Sequence, residues 1–90
     1  MLRIVPSNKF KKDLKLAVKR GYDIKLLENV VSRLANEEPL EPKYKDHTHS
    51  DDFSGFRECH ITPDWLLVYQ VINDVLVLFL SRTGTHSDLF

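Results

Sequence analysis

All four histidines of this 90-residue chain, His47, His49, His60 and His86, lie in its second half. Imidazole titrates near neutrality, so each can give or take a proton or ligate a metal. Two of them fall in "YKDHTHSDDF", residues 44–53, together with Asp46, Asp51 and Asp52. Those side chains suit zinc or manganese, but their spacing matches neither H-E-x-x-H nor paired C-x-x-C, so no metal ligand set and no cofactor are expected. A solvated loop whose histidines cap turns is the plain alternative. A catalytic use requires partners from elsewhere in the fold. His60 closes a strand-like run and His86 follows Arg82-Thr-Gly-Thr85. In an antiparallel meander the ends of alternate strands share one edge, which would bring His60 and His86 together. Cys59, the one cysteine, has no internal disulfide partner and is expected to be a small buried hydrophobe, not a nucleophile.

The elements that must position these groups follow from pattern. Leu2 to Val5, ended by Pro6, predicts a first strand. Ser7 is an N-cap candidate for a helix whose apolar face is Phe10, Leu14, Ala17 and Val18, with Lys11, Lys12, Lys15 and Lys19 opposite. Gly21 ends it in a left-handed conformation, and Asp23 caps a second helix over about 24–36 with a stripe of Ile24, Leu27, Val31, Leu34 and Ala35. From Pro39 to Gly55 no period holds, a loop long enough to suggest a task. Phe56–Ile61, Trp65–Val71 and Val75–Ser81 then predict three strands joined by turns at Pro63-Asp64 and Asn73-Asp74. The runs "WLLVYQV" and "VLVLFL" are too continuous for strands with one wet face. The order strand, helix, helix, strand, strand, strand specifies an α+β fold: two antiparallel helices on one face of a twisted antiparallel sheet ending in a three-strand meander.

Length and composition fit one domain over residues 1–90, and 42% apolar with 29% charged residues excludes a disordered or fibrous chain. No segment has membrane-span length and residues 1–20 lack a secretory apolar core, so a cytoplasmic protein is expected. The net charge of zero conceals a sorting: residues 1–33 hold nine Lys/Arg against three Asp/Glu, residues 34–90 four against ten. A basic first third suits phosphates or an acidic partner.

"YKDH" at 44–47, "GFRECHITPDWLLVY" at 55–69 and "RTGTHSDLF" at 82–90 resemble the motifs of YafQ-type toxins, a branch of the RelE/ParE superfamily from bacterial type II toxin–antitoxin systems. The likeness runs over essentially the whole chain, and H-x-x-P-D-W followed by R-x-G-[TS]-H is specific to it. It implies a RelE/ParE-like fold and a metal-independent endoribonuclease that cuts messenger RNA in the ribosomal A site until a cognate antitoxin, of ribbon-helix-helix type, silences it. Carried over by position, the functional residues are His47, His60, Asp64, Trp65, Arg82, His86 and Phe90. The family commonly continues "YKDH" with Pro-Leu and a glycine, whereas this chain has Thr48-His49-Ser50-Asp51-Asp52.

The chemistry agrees with those side chains. Without a metal, the ribose 2′-hydroxyl attacks the adjacent phosphorus, which needs a base, an acid for the leaving 5′-oxygen, and positive charge on the phosphorane. The resemblance makes His86 the acid, His60 or His47 the base, Asp64 an orienting carboxylate, and Arg82 the phosphate fork. Trp65 is either a stacking platform for a base or a core residue. Lys45 and Arg57 are candidate phosphate contacts, and Lys9, Lys11, Lys12 and Lys15 candidate contacts to ribosomal RNA or to an acidic stretch of the antitoxin. The rival readings are a non-catalytic binding module of the same fold and a ribosome-independent RNase.

Overall fold

The computed structural model describes residues 1–48 and 55–90, so His49, Asp51 and Asp52 lie outside the described residues. β1 (Arg3–Pro6) leads into α1 (Asn8–Lys19) and α2 (Ile24–Ala35), and then β2 (His47–Thr48), β3 (Phe56–Thr62), β4 (Trp65–Ile72), β5 (Val77–Gly84) and α3 (His86–Leu89) follow. Five strands form one sheet in the order β1-β5-β4-β3-β2.

Both long helices start where their caps predict. Ser7 Oγ accepts from Phe10 N at 2.9 Å, and Asp23 Oδ1 accepts from Lys25 N at 3.0 Å, each satisfying an otherwise unpaired amide of a first turn. Gly21 takes a φ of 80°, the left-handed turn after α1 that residues with a Cβ resist. Phe10 and Ala17 of α1, with Leu27, Val30, Val31, Leu34 and Ala35 of α2, bury their stripe against Cys59, Ile61, Leu67, Tyr69, Leu78 and Leu80 of the sheet. Val18, expected on that stripe, is 57% exposed because it falls at the stripe's margin near the helix end.

The predicted meander is present, β3–β4–β5 pairing antiparallel throughout. Leu66 and Val68, which alternate with the core residues of β4, are also buried, in keeping with the unbroken apolar run. The sheet is mixed, however, and not antiparallel: β1 runs parallel to β5, with Arg3 opposite Val77 and Pro6 opposite Leu80. Two helices between the first strand and the meander return the chain in β1's own direction, the geometry of a crossover. Within the expected loop, Pro42–Tyr44 form a 3₁₀ turn and His47–Thr48 pair with Glu58 and Arg57 as a short edge strand. The expected turn at Asn73-Asp74 extends through a 3₁₀ turn, Asn73–Val75, and a left-handed Leu76, so β5 begins at Val77.

Candidate active site

Strand register sorts the polar residues of the sheet into rows. His47 stands opposite Glu58, Glu58 opposite Val68, and Val68 opposite Arg82, one row across four strands. The next row is His60, Leu66 and Gly84, after which Thr85 leads into His86. Glu58 and His60, two apart on β3, face the same side. With about 4.8 Å per strand, the Cα atoms of His47 and Arg82 stand roughly 14 Å apart at the row's ends.

His60, Asp64 and His86 line one open cleft of about 540 Å³, with Tyr22 and Thr85 on its walls. The expected convergence of the two histidines at one sheet edge is therefore present. Imidazole Nδ1 of His60 faces the Pro63 carbonyl oxygen at 3.3 Å, a contact in which Nδ1–H donates. His86 opens α3 and packs its ring 4.9 Å from that of Phe90.

His47 differs from His60 in its surroundings. Its Nδ1–H donates to the Lys45 carbonyl oxygen at 2.5 Å and its Nε2–H to Glu58 Oε1 at 2.9 Å. Two acceptors require both ring protons, and the Lys45 carbonyl first, then Glu58, raise the His47 pKa above its ordinary value. The doubly protonated ring that these contacts favour has no lone pair to act as a base. The arm that carries it is pinned through Asp46, which accepts from Tyr69 Oη at 2.5 Å and Arg57 Nε at 3.3 Å. Arg57 is thus partly occupied within the fold, while Lys45 is exposed at a left-handed corner.

Arg82 is held from α1. Its Nε and Nη2 donate to the two oxygens of Asp13 at 2.7 and 3.1 Å, which raises the Arg82 pKa above its ordinary value. Arg82 lines a second, smaller cavity with Asp13, Arg20 and Asp88, not the histidine cleft. Arg20 beside Asp88 holds that carboxyl well below the usual carboxylate range.

The stacking role for Trp65 does not fit the fold. The indole is 3% exposed, lies 5.0 Å from the Tyr22 ring, and donates from Nε1 to Thr83 Oγ1 at 2.8 Å. A ring buried on both faces offers no platform to a base. Phe90, by contrast, is 53% exposed, and Lys9, Lys11, Lys12 and Lys15 are all exposed along α1. Cys59 is wholly buried, and burial pushes its thiol up to about 12.

Glu58 is the residue that sequence reasoning missed. It is buried beside His47, and its Oε2 has no hydrogen-bond partner among the described residues. Its i, i+2 spacing from His60 on a strand was the available signal. Among the described residues no three His, Cys, Asp or Glu side chains are grouped closely enough to hold a metal ion.

Residues 2–90 match the family described as the bacterial toxin of type II toxin–antitoxin system, YafQ. The chain belongs to the YafQ toxin family. The mRNA interferase toxin YafQ of Escherichia coli K12 is 42% identical over 85 residues, covering 93% of this chain and 90% of that protein. Among solved structures, a metal-bound toxin from Helicobacter pylori is 57% identical, with a TM-score of 0.96 over the whole of both chains. YafQ in the E. coli DinJ–YafQ complex is 40% identical, with a TM-score of 0.92 over 100% of this chain and 99% of that one. The YafQ fold and the α+β architecture thus agree. No helix among the described residues is long and apolar enough to cross a membrane.

Proposed function

We propose that this chain is the toxin of a type II toxin–antitoxin system, an endoribonuclease of the mRNA interferase class that cuts messenger RNA on the ribosome without a metal. The observation that carries the reading is the cleft in which His60, Asp64 and His86 meet. His60, with Nδ1–H tied to Pro63 and Nε2 open, is the general base that takes the 2′-hydroxyl proton. His86 is the general acid for the 5′-oxygen, steadied by Phe90, and Asp64 orients an imidazole. His47, kept cationic by Lys45 and Glu58, contacts a phosphate beside the scissile one. Arg82 offers its remaining N–H groups to the phosphorane. General acid–base catalysis supplies roughly 10²- to 10⁴-fold per group, so the larger share comes from the ribosome presenting the codon in an attacking geometry.

The lysines of α1 suit ribosomal RNA and, in the silenced state, an acidic stretch of an antitoxin of ribbon-helix-helix type. The E. coli DinJ–YafQ toxin–antitoxin complex supports an antitoxin as partner. Action on ribosomes places the protein in the cytoplasm.

Primer extension on a translated transcript tests the reading. Wild type stripped of metal with EDTA and desalted before it is added to ribosomes in Mg²⁺ buffer should create new 5′ ends, and His86→Ala should reduce them by about 10²-fold or more. Growth arrest by wild type without new ends would favour the non-catalytic binding module. Activity lost when the toxin alone is stripped, and restored only when a transition-metal ion is returned to it, would overturn metal independence, and the metal-bound H. pylori toxin gives that arm its interest. Cleavage of the naked transcript at the same rate would remove the ribosome from the mechanism.

A further inference from the structure

Two side chains, Asp13 of α1 and Arg20 at its C-cap, take no part in the proposed chemistry, yet both grip the segment that carries it. Seven residues apart, they lie two turns from each other on one face of the helix. Asp13 accepts from Arg82 Nε and Nη2, and also from the backbone N of Thr83 at 3.1 Å. β1 reaches only as far as Leu80 along β5, so beyond it the edge of β5 is met by α1, with Asp13 standing where a strand carbonyl would be. The guanidinium has five N–H bonds and Asp13 engages two, leaving three for a phosphate.

Arg20 works one step further along. Its Nη1 and Nη2 donate to Asp88 at 2.6 and 3.2 Å. Asp88 accepts in turn from Thr85 N at 2.9 Å and donates its own N to Thr85 Oγ1 at 3.2 Å, the reciprocal box that starts α3. Gly84 makes room for this: a Cβ there would lie 3.1 Å from both Cβ and Oδ2 of Asp88. A helix of four residues does not hold itself in water, because its nucleus is unfavourable and too few bonds follow. The position of His86 therefore depends on the tether.

We propose that Asp13 and Arg20 are positioning residues, and that α1 is the rack that fixes Arg82 and His86 relative to His60. The catalytic half of this inference rests on the RNA-cleavage reading; the structural half does not. An exposed ion pair adds little to global stability, so removing Arg20 should loosen α3 while the core stays folded.

The test uses the full chain as wild type, Arg20→Ala, Arg20→Lys and Asp13→Asn. By ¹⁵N relaxation, order parameters at residues 86–90 should fall from about 0.85 to below roughly 0.6 in Arg20→Ala, with β4 unchanged and Arg20→Lys intermediate. In ribosome-bound cleavage, kcat should fall roughly 10- to 100-fold in Arg20→Ala and Asp13→Asn at nearly constant KM, with partial recovery in Arg20→Lys. Unchanged order at 86–90 together with unchanged kcat overturns the proposal, and so does an equal loss of order across the whole chain in both Arg20 variants. If wild type cleaves no RNA, the functional reading has failed, and the relaxation data alone decide whether α1 holds α3.

Discussion

His47 and His60 are the same side chain made into different reagents by what accepts their protons. Lys45 and Glu58 each face one ring nitrogen of His47 and favour its imidazolium, whereas His60 has the Pro63 carbonyl at Nδ1. NMR titration of His47 should give a midpoint above 6.5, and Glu58→Gln should lower it only part of the way, since the Lys45 carbonyl is the larger cause. A folded-state pKa raised above the unfolded one means that these bonds stabilise fully below about pH 6.5 and lose their effect as pH rises through the folded value. The stability difference between wild type and Glu58→Gln should therefore shrink on going to high pH. A His47 midpoint at or below 6.5 would contradict the assignment. At this scale the sequence showed which histidines converge, because strand-end logic is local to the meander. It did not show Glu58, which a lone acidic residue in a strand does not announce, nor that Trp65 turns inward.

β4 begins at Trp65 and β5 ends near it, and the two are locked by one hydroxyl. Thr83 Oγ1 accepts from Trp65 Nε1 and donates to the Leu66 carbonyl at 2.7 Å, wholly buried. Thr83→Val keeps the shape and strands both partners, so it should destabilise by roughly 2–4 kcal/mol and lower Tm by about 10 °C or more. A Tm within 3 °C of wild type, measured by calorimetry, would show that the lock carries no weight. Elements with local signals were readable in advance: Ser7, Gly21 and Asp23 marked the bounds of α1 and α2 in sequence. α3 was not, since four residues show no period, although the spacing of Thr85 and Asp88 is that of a capping box. The parallel pairing of β1 was also hidden, because register between residues 3–6 and 77–80 is set by packing across the fold and not by any neighbour in sequence.

For the molecule as a whole, charge sorting and sheet order describe the same division. The basic α1 lies along β5 at one end of the sheet, and the arm bearing His47 pairs with β3 at the other. β5 is central to this layout, flanked by β1 and β4, so a chain ending at residue 76 has neither a partner for β1 nor the edge on which α1 rests. Such a fragment should show no protected amides in hydrogen exchange, against a protected β4 in the full chain; native-like protection in the fragment would refute this. During synthesis the same dependence becomes a matter of timing. Pairing residues at opposite ends of the chain must wait for the last of them, and folding dominated by such distant contacts is slow. Arg82, His86 and Phe90 follow β1's partner segment, so they leave the ribosome after it. The nascent protein therefore carries no assembled cleft until the residues through Ser87 have been made.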